Sequence, residues 1–318
     1  MLNQEPVPMQ GVVVKSFGKT HFVRCNGQIY ECSLKGLLRT RNIRTTNPVA
    51  VGDKVNFEMV DGNKGNIISI EVRKNYIIRK SINLSKESHV IAANIDQALL
   101  VVTLKEPLTS TVFIDRFLVT AEAYRIPVII VFNKIDIYSR EEIENVAEVM
   151  AAYHMAGYTL LDTSVPRNHH IEALRELLTG KVSVIAGHSG VGKSSLVNAL
   201  DKNANLAVAQ ISEMHKSGKH TTSFAQMVHL NFGADIIDTP GIRGFGIIDI
   251  EKDELYHFFP EIFKHSEHCK YYNCKHVNEP GCAVLQAVED GDIAFSRYRS
   301  YLSMLAEDEG KFRKKRQG

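Results

Sequence analysis

The chain has 318 residues, of which 44% are hydrophobic, so it is long enough for two or three domains with buried cores and is not mainly disordered. Its longest apolar run, residues 126–132, has the length of a buried strand and falls short of the roughly 20 residues of a membrane span. Five cysteines are an odd number for a disulfide framework, and Glu5 interrupts the segment where a secretory signal would be apolar. We expect a soluble, cytoplasmic, monomeric protein that does not act on a membrane.

The net charge of +2 conceals an uneven distribution. Residues 1–80 contain 13 basic and 6 acidic side chains, residues 81–310 contain 20 basic and 30 acidic ones, and residues 311–318 contain five basic and no acidic ones. Basic ends attract polyanions by releasing counterions, so charge alone would allow either nucleic acid or an anionic membrane as a partner. An ordinary solvated surface is the alternative.

Short alternating segments separated by turns run from Gly11 to about Val72 and predict a small antiparallel barrel of the oligonucleotide-binding (OB) type. A basic loop at residues 35–47 lies where such barrels hold their ligand, so RNA contact is favoured over a merely solvated loop. The predicted RNA-binding residues are Lys35, Arg39, Arg41 and Arg44 in this loop and Lys311, Arg313, Lys314, Lys315 and Arg316 in the C-terminal tail.

From about Ala98 to Asp238, apolar runs alternate with helical stretches, which predicts a parallel sheet covered by helices on both faces. The predicted strands are residues 98–104, 128–132, 158–161, 182–186 and 235–237. Residues 111–125 and 139–156 are predicted helices, and a capping box of Ser139 and Glu142 begins the second one. An amphipathic helix is predicted near the C-terminus, with the apolar stripe Ile293, Tyr298, Tyr301, Leu302 and Leu305.

Residues 187–194, with the sequence Gly-His-Ser-Gly-Val-Gly-Lys-Ser, match the pattern G-x-x-x-x-G-K-[ST] between a predicted strand and a predicted helix. Backbone N–H groups of such a loop bind phosphate oxygens, the Lys193 ammonium reaches the β- and γ-phosphates, and the Ser194 hydroxyl ligates Mg²⁺. The predicted phosphate-binding residues are Gly187, His188, Ser189, Gly190, Val191, Gly192, Lys193, Ser194 and Ser195.

An Asn-Lys-x-Asp motif at residues 133–136 directly follows the strand predicted at residues 128–132 and indicates the base of the nucleotide. In GTPases, a carboxylate in the position of Asp136 accepts two hydrogen bonds from guanine that adenine cannot donate. A short polar segment after the next strand, residues 163–165, is a weaker candidate for base contact. The predicted base-binding residues are Asn133, Lys134, Ile135, Asp136 and Ser164.

Asp238-Thr-Pro-Gly241 follows the last predicted strand; it would supply a carboxylate that holds Mg²⁺ through water and a Gly241 N–H for the γ-phosphate of GTP. In an ordinary GTPase the phosphate loop comes first and the Asn-Lys-x-Asp motif last, whereas here the base-reading motif leads. Circular permutation keeps every site in place while it moves the chain ends. We therefore predict a circularly permuted GTPase domain.

Residues 218–222, Gly-Lys-His-Thr-Thr, lie between the phosphate loop and Asp238, where switch I belongs. The predicted magnesium ligands are Ser194, Thr221, Thr222 and Asp238. Several GTPases orient the attacking water with a glutamine where this chain has Ile242, which cannot hydrogen-bond water. His220 is therefore predicted to be catalytic together with Lys193, and an ordinary loop histidine is the alternative.

Three cysteines and one histidine within 14 residues have the composition and spacing of a tetrahedral structural zinc site. The predicted zinc ligands are Cys269, Cys274, His276 and Cys282. His265 and His268 are alternatives for the fourth ligand. Because so short and loop-rich a region has little apolar core of its own, we expect one zinc ion per chain to hold it together.

These motifs predict three domains: an OB-type β-barrel at residues 1–75, a circularly permuted P-loop α/β GTPase domain at residues 76–248, and a zinc-binding domain with α-helices at residues 249–318. Together with residues 51–55 and 91–97, they resemble the bacterial family of ribosome small-subunit-dependent GTPase A over nearly the whole chain. The resemblance implies GTP hydrolysis that the small ribosomal subunit and its rRNA stimulate during late subunit maturation, followed by release of the GTPase.

Two other classes of protein remain open at this point. A P-loop phosphotransferase would contain residues 187–194 but would have no use for residues 133–136. A non-enzymatic RNA-binding zinc adaptor would explain the basic ends and the cysteines but would give no function to the motifs at residues 133–136 and 187–194.

Overall fold

The computed structural model describes residues 8–35, 48–80, 88–204, 225–238 and 250–307. Its architecture is the one expected from the sequence, with a five-stranded barrel, a central sheet flanked by helices, and a helical C-terminal region that contains the cysteine cluster. Among the helices in this described part of the chain, none is long and apolar enough to cross a membrane.

Five strands form the barrel, and their buried residues alternate with exposed ones because one face of each strand points into the barrel core. The strands are β1 (Met9–Phe17), β2 (Thr20–Cys25), β3 (Gln28–Leu34), β4 (Lys54–Asp61) and β5 (Lys64–Ile70). Strand β1 pairs with both β2 and β4, which closes the barrel. The prediction of an all-antiparallel barrel is wrong in one respect, since β3 and β5 pair in parallel.

A two-stranded sheet of β6 (Tyr76–Lys80) and β7 (Ser88–Ala93) follows the barrel. It lies against the barrel through a bridge between Val51 and Ala92. Beside this bridge, the buried Asp53 carboxylate accepts hydrogen bonds from the Ala50 N–H at 2.8 Å and from the Arg73 guanidinium at 2.7 and 2.8 Å. The residue 51–55 motif therefore has a structural role at the end of the barrel.

The central sheet has six strands, in the order β10-β9-β8-β11-β13-β12. They are β8 (Gln97–Val102), β9 (Val128–Asn133), β10 (Thr159–Thr163), β11 (Val182–Ala186), β12 (Gln226–Leu230) and β13 (Ala234–Asp238). All pair in parallel except β12, which is antiparallel to β13. Every residue of β8 and β9 is buried, as is typical of a parallel sheet with both faces covered.

Four helices cover the two faces of this sheet: α1 (Thr111–Ala123), α2 (Arg140–Met155), α3 (Ile171–Leu178) and α4 (Lys193–Leu200). Helices α1 and α2 pack against one face and α3 and α4 against the other. The predicted capping box is present, because the Ser139 hydroxyl accepts from the Glu142 N–H and the Glu142 carboxylate accepts from the Ser139 N–H.

The barrel is joined to the central sheet through strand β1. Lys15 of β1 pairs with Gln226 of β12, so the barrel and the central sheet form one continuous set of strands. The Arg24 guanidinium donates two hydrogen bonds to the Asp235 carboxylate, at 2.7 and 2.6 Å. A bidentate pair of this kind fixes orientation as well as distance, so the barrel has a defined position beside β13.

The C-terminal region consists of α5 (Pro260–Ser266), α6 (Ala283–Glu289) and α7 (Phe295–Leu305). Its buried residues form a core of their own, to which α1 contributes Val119. Almost all residues of this core lie outside residues 269–282, so the segment that carries the cysteines has little apolar core of its own, as expected. The helices on both sides of that segment supply the apolar surface of the region.

A buried ion pair network fixes this region to the central domain. The Arg297 side chain is 1% exposed and donates hydrogen bonds to Asp115 of α1 at 2.7 Å and to Glu261 of α5 at 2.7 and 3.2 Å. Its guanidinium also lies over the rings of Tyr153, Tyr158 and Phe259. Paired and stacked in this way, the cation is compensated although it is buried.

Candidate functional site

The predicted motifs lie at one edge of the central sheet. Asn133 ends β9, Thr163 ends β10, Ala186 ends β11 and Asp238 ends β13. These strands are parallel, so their carboxyl ends meet at the same edge, where open α/β sheets bind their ligands. The sequence-distant motifs at residues 133–136 and 187–194 are thereby brought together.

The phosphate loop connects β11 to α4 and depends on glycine at three positions. Gly187, Gly190 and Gly192 have φ values of 135°, 88° and 98°, a region that other residues avoid. A Cβ at Gly187 would overlap with the carbonyl oxygen of Val101. The loop therefore passes close to β8 and leads directly into the N-terminus of α4, and a helix N-terminus favours anions.

Lys193 is the first residue of α4, and its ammonium lies over the loop. It donates hydrogen bonds to the carbonyl oxygens of Gly187 and His188, both at 2.8 Å. Val191 is buried, whereas Ser189, Gly190, Ser194 and Ser195 are exposed at the mouth of the loop. The cation and the hydroxyls therefore lie where a bound phosphate chain would meet them.

Asn133 connects the base-reading motif to the phosphate loop. Its side chain is buried; the amide nitrogen donates to the Val191 carbonyl at 2.8 Å, and the amide oxygen accepts from the Thr163 hydroxyl at 2.9 Å. Lys134 adopts a left-handed backbone conformation, and its ammonium donates to the Glu106 carbonyl at 2.8 Å. The motif is thus held by the ends of three neighbouring strands.

Asp136 lies in the short 3₁₀ turn 135–137, which also contains Ile135. One of its carboxylate oxygens accepts from the Ser164 hydroxyl at 2.6 Å, and its backbone carbonyl accepts from the Arg167 guanidinium at 3.2 Å. Sequence reasoning considered Ser164 only a weak candidate. The structure places it in direct contact with the predicted guanine-reading carboxylate, and it adds Arg167, which the sequence analysis did not select.

A further segment beside the site, Glu106-Pro107, was missed by the sequence analysis. It follows strand β8, its Glu106 carbonyl holds Lys134, and the Pro107 ring lies beside Gly190 of the phosphate loop. Its position after β8 could have indicated it, because β8 is a parallel strand whose carboxyl end lies at the same sheet edge as the motifs. In addition, the His188 ring packs on Phe113 of α1, with centroids 4.0 Å apart.

The remaining predicted residues are placed only in part. The Asp238 backbone pairs with Ile185, directly before the phosphate loop. Lys35 is exposed and forms an ion pair with Glu58 at 3.1 Å. The residues that lie outside the described part of the chain are Arg39, Arg41, Arg44, His220, Thr221, Thr222, Gly241, Lys311, Arg313, Lys314, Lys315 and Arg316.

The four predicted zinc ligands converge in the C-terminal region: one ligand atom from each of Cys269, Cys274, His276 and Cys282 lies within 4.8 Å of the others. The Cys269 and Cys282 sulfurs are 3.8 Å apart, and His276 Nδ1 lies 3.6 and 3.5 Å from them. Tetrahedral zinc, with Zn–S of about 2.3 Å and Zn–N of about 2.0 Å, holds two sulfurs about 3.8 Å apart and a sulfur and a nitrogen about 3.5 Å apart. The measured separations therefore fit this ion.

Burial also shifts the protonation of the side chains in this cluster. Burial, with the neighbouring thiols, raises the pKa of Cys274 to about 12, and burial lowers the pKa of the His276 imidazole. A neutral imidazole is the form that binds metal, and crowded thiols lose their protons once a divalent cation compensates the charge. Tyr298 of α7 fixes the ligand loop by donating its hydroxyl to the His276 carbonyl at 2.7 Å.

Comparison with known proteins agrees with this geometry. Residues 70–248 match the family model described as RsgA GTPase, and residues 10–67 match the RsgA N-terminal domain. The protein named "Small ribosomal subunit biogenesis GTPase RsgA" from Bacteroides fragilis is 51% identical over 307 residues, covering 96% of this chain and 99% of the relative. The protein with the same name from Christiangramia forsetii is 47% identical over 309 residues, covering 96% and 98%.

Two solved structures are similar in fold. YjeQ from Thermotoga maritima has a TM-score of 0.77 and 36% identity, covering 94% of this chain and 98% of that one. YloQ, described as a circularly permuted GTPase, has a TM-score of 0.74 and 29% identity, covering 100% of both chains. The order of its motifs, its barrel and its nucleotide-site edge all agree with these relatives. The chain belongs to the RsgA family of circularly permuted GTPases.

Proposed function

We propose that this protein hydrolyses GTP to GDP and phosphate, that it binds the small ribosomal subunit during the subunit's late maturation, and that hydrolysis leads to its release. The name of its relatives, small ribosomal subunit biogenesis GTPase, supports the subunit as partner. The observation that carries the nucleotide part is the contact of Asn133 with Val191, which joins a base-reading loop to a phosphate loop.

The described contacts support a division of labour within the nucleotide site. Asp136 reads guanine, with Ser164 holding its carboxylate, while Lys134 covers the base. The N–H groups of the phosphate loop and the α4 N-terminus bind the phosphates, and the Lys193 ammonium stabilises charge that develops on the β- and γ-oxygens. The full set of proposed GTP-binding residues is Asn133, Lys134, Ile135, Asp136, Ser164, Gly187, His188, Ser189, Gly190, Val191, Gly192, Lys193, Ser194, Ser195 and Gly241.

Magnesium fits the mouth of the phosphate loop because the exposed Ser194 hydroxyl and the end of β13 at Asp238 both lie there. Ser194, Asp238 and one of Thr221 and Thr222 would hold the ion. When bound with GTP, it supplies positive charge to the β- and γ-phosphates. His220, in the same segment as the threonines, orients the attacking water in this proposal, since Ile242 cannot.

Zinc fits the Cys₃His cluster and would have a structural role there, since the four protein ligands complete a tetrahedron and leave no open position.

Basic residues of the barrel loop and of the tail, among them Lys35, Arg39 and Arg44, add salt-dependent affinity for rRNA phosphates. We further propose that the protein is cytoplasmic, because its role on the ribosomal subunit requires access to the cytoplasm. We also propose that it is a monomer.

Competition binding tests the nucleotide part of the proposal. A fluorescent GDP analogue bound to the protein should be displaced by GTP and GDP and not by ATP, because adenine lacks the two donors that Asp136 accepts. Displacement by ATP as effective as that by GTP would favour a P-loop phosphotransferase. Absence of any nucleotide binding, with RNA binding retained, would favour an RNA-binding zinc adaptor.

Co-sedimentation tests the partner. Binding to small ribosomal subunits should be tighter with a non-hydrolysable GTP analogue than with GDP at one fixed salt concentration. Equal affinities in the two nucleotide states would contradict release by hydrolysis. A chain truncated before Lys311 should bind more weakly and with a shallower dependence on salt, because fewer phosphate contacts release fewer counterions.

A further inference from the structure

Two groups of three or more metal-ligating side chains occur in the part of the chain that the structure describes: the Cys₃His cluster and a second group of Asp162, His169 and His170. In the second group, one ligand atom from each residue lies within 4.8 Å of the others. None of these three residues belongs to the phosphate loop or to the base-reading motif. The sequence analysis assigned no function to them.

The three side chains share one carboxylate as their centre. His169 Nε2 lies 2.9 Å from Asp162 Oδ2, and His170 Nδ1 lies 3.0 Å from Asp162 Oδ1 and 2.9 Å from the Asp162 backbone carbonyl. Two ligands that are each about 2.1 Å from a metal ion are about 3.0 Å apart at the right angle of a tetragonal or octahedral shell, and about 3.4 Å apart in a tetrahedral one. The two histidines approach different oxygens of Asp162, so both separations match a right-angled shell in which this carboxylate is bidentate.

The backbone around the two histidines brings consecutive side chains to the same place. Ser164 and His169 exchange backbone hydrogen bonds of 3.3 and 2.9 Å, which closes the loop between β10 and α3. Asn168 and His170 both have positive φ, at 49° and 53°, which is uncommon outside glycine. As a result the two imidazoles lie against each other, with centroids 3.8 Å apart, and both face Asp162.

We propose that Asp162, His169 and His170 bind a divalent transition-metal ion, with zinc as the representative member of the class. A donor set of two imidazoles and one carboxylate favours zinc, nickel and cobalt over magnesium and calcium. The side chains are 32% to 46% exposed, so an ion enters directly from solvent and water completes its shell. Without a metal ion, the same separations would be ion pairs between the Asp162 carboxylate and the two histidines.

The site adjoins the guanine-reading loop, which gives the metal a consequence for nucleotide binding; this step rests on the proposed function. Thr163 and Ser164, directly after Asp162, donate to Asn133 at 2.9 Å and to Asp136 at 2.6 Å. An ion that ties Asp162 to His169 and His170 fastens both ends of the loop that carries Ser164. Metal binding should therefore raise the affinity for GDP.

Equilibrium dialysis of the full-length protein against micromolar zinc, followed by elemental analysis, tests the site. The wild type should bind two zinc ions per chain, and the double variant His169→Gln/His170→Gln should bind one. Glutamine can still hydrogen-bond Asp162 but is a poor zinc ligand, and the zinc ion retained at the Cys₃His cluster shows that the variant is folded. His154→Ala, on the exposed face of α2, is the matched control and should bind two. One ion in the wild type, or two in the double variant, would overturn the site.

A second measurement separates this inference from the proposed function. With magnesium present, saturating zinc should raise the affinity of the wild type for a fluorescent GDP analogue by about threefold or more and should leave that of the double variant unchanged. The same effect in both proteins, or in neither, would overturn the coupling between metal binding and GDP affinity. Whether the metal site exists is decided separately by the number of zinc ions bound. Failure of both proteins to bind the analogue would contradict the proposed function and would leave the metal count valid.

Discussion

The Asn133 side chain donates a hydrogen bond to the backbone carbonyl of Val191, 2.8 Å away, and this contact joins the loop after β9 to the phosphate loop after β11. The two residues are 58 positions apart in the chain. Their contact explains how a permuted sequence retains one nucleotide site: the order of the motifs along the chain is changed, but the strand ends that carry them are neighbours in the sheet.

Gly192 should be intolerant of substitution because of this contact. A Cβ at Gly192 would overlap with the Asn133 amide, and its φ of 98° adds backbone strain. Gly192→Ala should lower the free energy of unfolding by about 1 to 3 kcal/mol and weaken GDP binding at least about tenfold.

Urea unfolding and fluorescent GDP titration measure both effects. Gly157→Ala is the matched control, since Gly157 has a φ of 91° and no atom within 4 Å of the added Cβ. It should show the strain alone, with GDP affinity unchanged. If Gly192→Ala also kept full GDP affinity, the coupling of the two loops through Asn133 would be refuted.

Asp136→Asn should change the preferred base. The amide replaces an acceptor that faces the guanine donors, while its oxygen can still accept the hydrogen bond from Ser164, so the loop is retained. GTP affinity should fall by about 100-fold, and xanthosine triphosphate, which presents an acceptor at the altered position, should become the better ligand. Competition titrations with both nucleotides check this; a variant that still prefers GTP would show that Asp136 does not read the base.

Cys274→Ala or removal of zinc by a chelator should disorder residues 269–282 and leave the rest of the chain folded. The loop has little apolar core and would depend on the proposed zinc ion, whereas α5, α6 and α7 share an apolar core with Val119 of α1. Hydrogen exchange should therefore increase in residues 269–282 and stay low in α7.

Cys25→Ala, in the barrel, is the control and should keep the zinc content of the wild type. Purified protein that holds no zinc would contradict the assignment of the cluster. Loss of protection throughout α7 would instead show that the metal, and not the core, holds this region.

Arg297→Met should destabilise the protein by about 3 kcal/mol or more at pH 8, because it leaves the buried carboxylates of Asp115 and Glu261 without their cation. Burial already raises the pKa of Asp115, and in the variant the opposing effect of Arg297 is lost. A buried acid with a raised pKa stabilises the folded state at low pH and loses that contribution as the pH rises. The deficit should therefore be smaller at pH 5 than at pH 8.

Urea unfolding of wild type and variant at both pH values measures this difference. The triple variant Arg297→Met, Asp115→Asn, Glu261→Gln removes the carboxylates as well and should recover part of the lost stability with little dependence on pH. A deficit of Arg297→Met that did not change between the two pH values would refute the role of uncompensated charge.

The sequence predicted the parts of the fold that depend on local patterns. The capping box at Ser139, the apolar strand predicted at residues 128–132 and the glycine-rich loop at residues 187–192 each depend on a few adjacent residues. The Cys₃His cluster was predicted for the same reason, since its four ligands lie within 14 residues.

Pairings between distant segments could not be predicted in this way. The parallel pairing of β3 with β5 and the antiparallel β12 depend on which strands become neighbours, and alternation along one strand does not specify its partner. Likewise, nothing near Glu106 in the sequence indicates that its carbonyl receives the Lys134 ammonium. The residues around Arg297 do not indicate that it is buried, because its partners Asp115 and Glu261 are 182 and 36 residues away.

The turnover of GTP with and without purified small ribosomal subunits decides whether this protein is a GTPase that the subunit stimulates. We expect slow hydrolysis by the protein alone, strong stimulation by small subunits and none by large subunits. Lys193→Ala, which lacks the ammonium at the phosphate loop, should abolish the activity. Lys181→Ala, at an exposed lysine directly before β11, should keep it. Turnover that is the same with and without small subunits, or that persists at the wild-type rate in Lys193→Ala, would contradict this assignment.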